Sequence, residues 1–171
     1  TLTETCRSEI VGDLLPQVPS NLERYLSLMA ASSPVEHQSS GPAYHFRPEL
    51  PETKGVIRVT AENAMAPTEH LEEWIDDPPT CQPMMGRVVA GHVVSVCASV
   101  RITPRVHEAG VETHPMFRGK GYAAQAVATW AAAVRIEGAR PVYSTSWDNT
   151  ASQAIARKLG LIRFGIDFHV T

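Results

Sequence analysis

An α/β fold, with helices on the faces of one mixed sheet, follows from three features of the chain. Residues 87–170 alternate between β-branched runs and helix-like segments in the order β-β-β-α-β-α-β, a pattern that layers helices onto a sheet. Hydrophobic residues fill 43% of the 171 positions and charged residues 19%, which suits one self-sufficient core and not a disordered chain. Ten of the thirteen prolines precede Arg87, so the long uninterrupted elements fall in the second half. The length fits a single domain over residues 1–171, with a helical pair in 1–34 and a core in 87–170.

The elements follow in order. Cys6, Ile10 and Leu14 recur at helical spacing until Pro16. Ser20-Asn21-Leu22-Glu23 has the form of a capping box, and Leu22, Tyr25, Leu26 and Met29 give the second helix an apolar face. Gln38 to Gly41 is expected to be a polar loop, Val56–Thr60 a strand and Thr68–Ile75 a short acidic helix. Arg87–Ala90 and His92–Ile102 are β-branched runs joined at Gly91, hence a hairpin, with Val94, Val96, Ala98 and Val100 on a buried face. Val106–His114 is the next strand. Gly121–Glu137 is an alanine-rich helix stopped by Gly138. Pro141–Trp147 is a strand, and Asn149–Leu159 a helix capped by Asp148 or Asn149 and ended by Gly160. Ile162–Val170 closes the chain as a strand.

A formal net charge of −3 offers no field that would draw the protein to nucleic acid or an anionic membrane. Three scattered cysteines, Cys6, Cys81 and Cys97, form neither a disulfide framework nor a CxxC pair, which fits the reducing cytoplasm. The opening TLTETCRSEI lacks the basic start and apolar middle of a secretory signal, so a cytoplasmic location is expected. No His/Cys cluster has metal-ligand spacing, and no metal is expected.

Chemistry concentrates in His114-Pro115-Met116-Phe117-Arg118-Gly119-Lys120-Gly121-Tyr122-Ala123, between a strand and the long helix. Two glycines permit a tight turn, and the unpaired amides of a helix start then face outward at the positive end of its dipole. With Arg118 and Lys120 beside them, those amides form a cradle for phosphate oxygens. A Walker loop is excluded because Gly121, not Ser or Thr, follows Lys120. Gly119, Gly121 and Ala124 formally satisfy the dinucleotide fingerprint. Five residues separate that pattern from the strand, however, and Ser144–Trp147 carries no acid, which makes the Rossmann reading the weaker one.

Arg118-Gly119-Lys120-Gly121-Tyr122-Ala123 resembles the R/Q-x-x-G-x-G/A signature of the GNAT superfamily of acyl-CoA N-acyltransferases, and Val111-Glu112-Thr113-His114-Pro115 resembles the strand that precedes it. Asn149-Thr150-Ala151-Ser152 followed by Arg157-Lys158-Leu159-Gly160-Leu161 is similar to the family's N-x-x-A/S … K-L-G-F ending. The likeness covers about residues 87–170. It implies a mixed, mostly antiparallel sheet with one splayed parallel pair, here Val106–His114 and Pro141–Trp147, and helices on both faces. It further implies acetyl-CoA as co-substrate, its diphosphate on the signature loop and its pantetheine arm between the splayed strands. Val111, Glu112, Thr113, Arg118, Gly119, Lys120, Gly121, Tyr122, Ala123, Asn149 and Ser152 are then the expected cofactor-binding residues. The acceptor would be a small-molecule amine, and the N-terminal helices would wall its site or form a homodimer surface.

Amine acylation needs a base, because an ammonium has no lone pair to donate. Glu108 and Glu112 share one face of their strand. Glu108 is the candidate base; the competing reading pairs it with an arginine of the neighbouring strand, such as Arg101. Where many family members carry a tyrosine that protonates the departing thiolate, this chain has Ala156. Tyr122 or Tyr143 would replace it only if the fold brings one near. That gap keeps a second reading open, a non-catalytic acyl-CoA sensor. Trp147 is either a pocket lining or packing, His107 a surface residue, and Cys97 a buried inert thiol.

Overall fold

The computed structural model describes residues 19–60, 70–75 and 80–170, together with Glu4 and Asn63. The expected first helix, Cys6 to Pro16, lies outside the described residues. Seven strands form one sheet: β1 (Gln38–His45), β2 (Val56–Arg58), β3 (Met84–Val89), β4 (His92–Ile102), β5 (Val106–Thr113), β6 (Arg140–Ser144) and β7 (Ile162–Val170). The helices are α1 (Leu22–Ala30), α2 (Glu72–Ile75), α3 (Tyr122–Ile136) and α4 (Thr150–Lys158). The spatial order is β2-β3-β4-β5-β6-β1-β7. Every neighbouring pair is antiparallel except β5 and β6, which run parallel across the α3 crossover. The mixed sheet with one parallel pair is the fold the sequence led us to expect.

Helix α3 lies across the middle of the sheet. Its Ala126, Val127, Trp130 and Val134 are fully buried against Met85, Cys97, Ala109 and Tyr143. The small alanines let the helix approach closely, so the Trp130 indole fits beneath it and donates to the Ser99 hydroxyl at 3.1 Å. On the opposite face Val59, Met84, Val96 and Ala98 bury against Leu71, and Trp74 of α2 packs beside them. Residues Val93 to Ser99 of β4 are therefore buried on both faces. The hairpin turn is Ala90-Gly91, with φ of 49° and 83°, the left-handed pair that suits the twist of the flanking strands.

Several expectations about the elements need correction. Gln38 to Gly41 is not a loop but the start of β1, which is wedged between β6 and β7. Val100 is 47% exposed, because the register shifts between Ser99 and Arg101 and turns it out of the core. The fifth predicted strand ends at Ser144, not Trp147. The capping box is not made: α1 starts at Leu22 behind Asn21, so Glu23 stands at the second helical position instead of the third, and no side chain caps the end. No helix among the described residues is long and apolar enough to cross a membrane.

Candidate functional site

The parallel pair is short. Strands β5 and β6 are in register only at Val106↔Arg140, His107↔Pro141 and Glu108↔Val142. Beyond Glu108, β5 continues to Thr113 on β4, whereas β6 follows β1 through Ala43↔Ser144, so the two part. The His114 amide donates to Val94 of β4 at 3.0 Å. By strand alternation the amides of Val111 and Thr113 point the other way, into the gap. The Thr113 amide is met there by the Glu112 carboxylate at 2.9 Å.

Above this gap the chain makes a 3-10 turn (Pro115–Phe117) and enters α3 through Arg118-Gly119-Lys120-Gly121. Gly119 and Gly121 have φ of 75° and 80°, a left-handed conformation that L side chains rarely adopt. Gly121 is the N-cap of α3, and no side chain caps the helix, so its first amides are unspent. Helix α4 differs: the Asn149 carboxamide oxygen accepts from the Ser152 amide at 3.0 Å. Asn149 is thus the cap, one of the two residues the sequence proposed.

Cations surround the loop. Arg118 donates from Nε to the Thr113 carbonyl at 3.1 Å and from Nη2 to Glu112 at 3.0 Å, which ties the loop to the end of β5. The Lys120 ammonium stands 4.9 Å from the centre of the Phe117 ring. The Lys158 amine occupies the space that a side chain on Gly121 would fill. Lys158 was not among the expected site residues. Its signal was present in the Arg157-Lys158-Leu159-Gly160 run, but only the fold shows that this run ends beside the loop. Tyr122 stacks 5.1 Å beneath the Arg87 guanidinium, and Ala123 is half-buried in the first turn. The residues fit a diphosphate: unpaired amides, glycines without side chains in the way, and three cationic groups around them.

The opposite end of the gap is acidic. Glu108 forms an ion pair with Arg101 of β4, Nε to Oε2 at 2.6 Å, and accepts a short hydrogen bond from the Ser144 hydroxyl. Arg101 also reaches Asp167 of β7 at 3.0 Å, and Ser144 lies 3.4 Å from the same carboxylate. Burial opposes the charge on Arg101, but its bonds to Asp167 and Glu108 outweigh that and hold the guanidinium more firmly protonated than usual. The competing sequence reading, a Glu108–Arg101 pair, is what the structure contains. Between Glu108 and Glu112, Gly110 carries no side chain because Val100 and the Trp74 ring fill that space.

Tyr143, 1% exposed, bonds through its hydroxyl to the Ser152 hydroxyl at 2.5 Å. Burial pushes its phenol up to about 12, although the Ser152 bond works the other way. His107 is not a surface residue: it is 9% exposed, and its Nδ1 meets the Ser99 hydroxyl at 3.1 Å in the network that includes Trp130. The Cys97 thiol is wholly buried, and desolvation raises it well above the ordinary range, as expected of an inert thiol. Ala156 is buried in the core beneath α3. Trp147 sits in the loop before α4, 4.9 Å beneath the Arg163 guanidinium. Among the described residues no group of three or more His, Cys, Asp or Glu side chains is placed to hold a metal ion.

A sequence model of the GNAT acetyltransferase family matches residues 86–165, the stretch from β3 to β7 that contains the gap and the loop. Similar solved structures include a protein assigned to that family from Novosphingobium aromaticivorans, 17% identical, with a TM-score of 0.65 over 80% of this chain and 65% of that one. A GNAT acetyltransferase from Colwellia psychrerythraea is 16% identical, with a TM-score of 0.59 over 99% of this chain and 68% of its own. A GCN5-related N-acetyltransferase from Kribbella flavida is 21% identical, with a TM-score of 0.59 over 88% of this chain and 63% of that one. This chain therefore spans about two thirds of the length of the solved structures it resembles. No curated protein matches it. At these identities the structures speak for the fold, and the family match speaks for the sequence of its core. The core of the chain, residues 86–165, is thus similar in sequence to the GNAT acetyltransferase family, and the fold is that of the solved GNAT structures.

Proposed function

We propose that the protein is an N-acetyltransferase that moves an acetyl group from acetyl-CoA to the amine of a small molecule. The parting of β5 and β6 directly below an uncapped helix start carries this reading. It supplies an extended slot and an anion cradle in line. The first amides of α3, with Arg118, Lys120 and Lys158, would hold the diphosphate. The gap-facing amides of Val111 and Thr113 would orient the arm and the thioester carbonyl, once Glu112 yields the Thr113 amide it now holds. Asn149 and Ser152 are the remaining contacts of this reading, although their side chains already cap α4 and bond Tyr143.

Acetyl-CoA supplies the thioester, so that one C–N bond forms, one C–S bond breaks, and the products are the acetamide, the free thiol and a proton. Glu108 receives the proton of the incoming ammonium, directly or through water, with Arg101 and Ser144 fixing its orientation. Tyr143 is unsuited to protonate the sulfur. A phenol near 12 gives its proton to a thiolate of ordinary basicity, about 8.5, uphill by roughly 5 kcal/mol. Water is left to return it. Calorimetric titration with acetyl-CoA, followed by thiol release with a panel of amines, tests the proposal; failure to bind acetyl-CoA overturns it.

Two observations favour the sensor reading: Glu108 is paired, and the position of the family's acidic tyrosine is a core alanine. Stoichiometric acetyl-CoA binding with no thiol release for any amine would establish it.

A further inference from the structure

The proposed reaction leaves the acceptor unnamed, and a second cavity narrows it. On the face of the sheet that carries Glu108, the start of β1, the end of β6 and β7 enclose about 400 Å³, lined by Ser39, Ser40, Ser146, Arg101, Asp167 and His169 among others. At roughly 30 Å³ per water, that is room for about a dozen non-hydrogen atoms. Four serines and a threonine line it, and Val100 is its one large apolar side chain, which gives the wall the character of a site for a hydroxylated molecule.

The charges are specific. Asp167 and Arg101 stand in the wall, and Glu108 is one hydrogen bond behind it, through Ser144. Two carboxylates face one guanidinium, an excess of one negative charge among these three groups. Arg101 spends its Nε and Nη2 on Glu108 and Asp167, so one guanidinium is shared between two carboxylates. Excess negative charge therefore calls for a cation, next to the carboxylate that the reaction uses as base.

We propose that this cavity seats the acceptor, and that the acceptor is a small hydroxyl-bearing primary amine of the amino-alcohol or amino-sugar class, entering as the ammonium with Asp167 as its counter-ion. This rests on the acetyltransferase reading. Aryl or alkyl amines meet a single large apolar side chain, Val100, in the wall, and acidic amino acids meet repulsion. Asp167 is a specificity-determining residue in this scheme.

The test measures steady-state thiol release at saturating acetyl-CoA with an amino sugar, an alkyl amine of equal size without hydroxyls, an aryl amine and an acidic amino acid. The amino sugar should have the highest kcat/KM. Asp167→Asn should raise its KM about tenfold or more, the loss of one charged hydrogen bond, with acetyl-CoA affinity unchanged by calorimetry. Arg101→Gln, which makes the wall more acidic, should move that KM in the opposite direction. A preference for the aryl or acidic amine, or an unchanged KM in Asp167→Asn, overturns the assignment. So does acetyl-CoA binding without turnover of any of the four, which leaves the acyl-CoA site standing. If acetyl-CoA itself does not bind, both readings fall together.

Discussion

Two glycines allow the anion cradle to be tested apart from stability. Gly119 and Gly138 have φ of 75° and 85°, and a Cβ built on either meets nothing within 4 Å. Alanine at either position therefore incurs the same left-handed penalty, about 1–2 kcal/mol, with no clash in the free protein. For a domain of this size that lowers Tm by roughly 2–8 °C in both variants. They differ in place: Gly119 lies in the loop before α3, and Gly138 just past its far end. The open space at Gly119 is where the diphosphate should lie, so Gly119→Ala should lose about one charge-assisted amide contact, 1.5–3 kcal/mol. That weakens acetyl-CoA binding about 10–150-fold, while Gly138→Ala binds as the parent does. Calorimetric Kd values with Tm measured in parallel decide it. If both variants bind acetyl-CoA like the parent, the loop does not hold the diphosphate.

Glu108→Gln should cut kcat about 100-fold or more and leave acetyl-CoA affinity intact, as steady-state rates and calorimetry would record; a near-normal rate removes Glu108 as the base. Gly110→Ala puts a methyl into the Trp74 ring and Val100, and should destabilise the fold by about 1–3 kcal/mol in urea titrations, with part of the loss recovered in a Trp74→Ala background. Tyr143 keeps its proton up to about 12 when folded and gives it up near 10 when unfolded. Its contribution is therefore complete below pH 10 and falls as pH rises towards 12, by up to about 3 kcal/mol, a slope that Tyr143→Phe should lack in urea titrations at stepped pH.

The legible parts of the fold were those whose signal is local. Helix α3 announced itself through its alanines and the glycines at both ends, and the β3–β4 hairpin through β-branched runs around Ala90-Gly91. Strand β1 was invisible because Gln38-Ser39-Ser40-Gly41-Pro42 has little intrinsic strand preference. It is a strand because β6 and β7 pair with it on both sides, and it has Gly41 because a side chain there would strike the Thr145 carbonyl. The same dependence hid half of the acidic end. Glu108 and Arg101 could be read as neighbours from adjacent strands. Asp167 joins them only because β1 sets β7 one strand away from β6. His107 escaped for another reason: strand alternation gave its side, but nothing in the sequence reported that Trp130 and Ser99 close over it.

The wedge formed by β1 has a consequence for biosynthesis. The strand leaves the ribosome early, yet its partners, Val142 to Ser144 and Ile162 to Val170, emerge about a hundred residues later. Until then it has no ladder to join, and its weak local preferences leave it unstructured. Chains halted before Arg140 should carry that segment unprotected, open to proteases or to a neighbouring nascent chain, and the sheet should knit shut from its middle outwards only once the last strand is free.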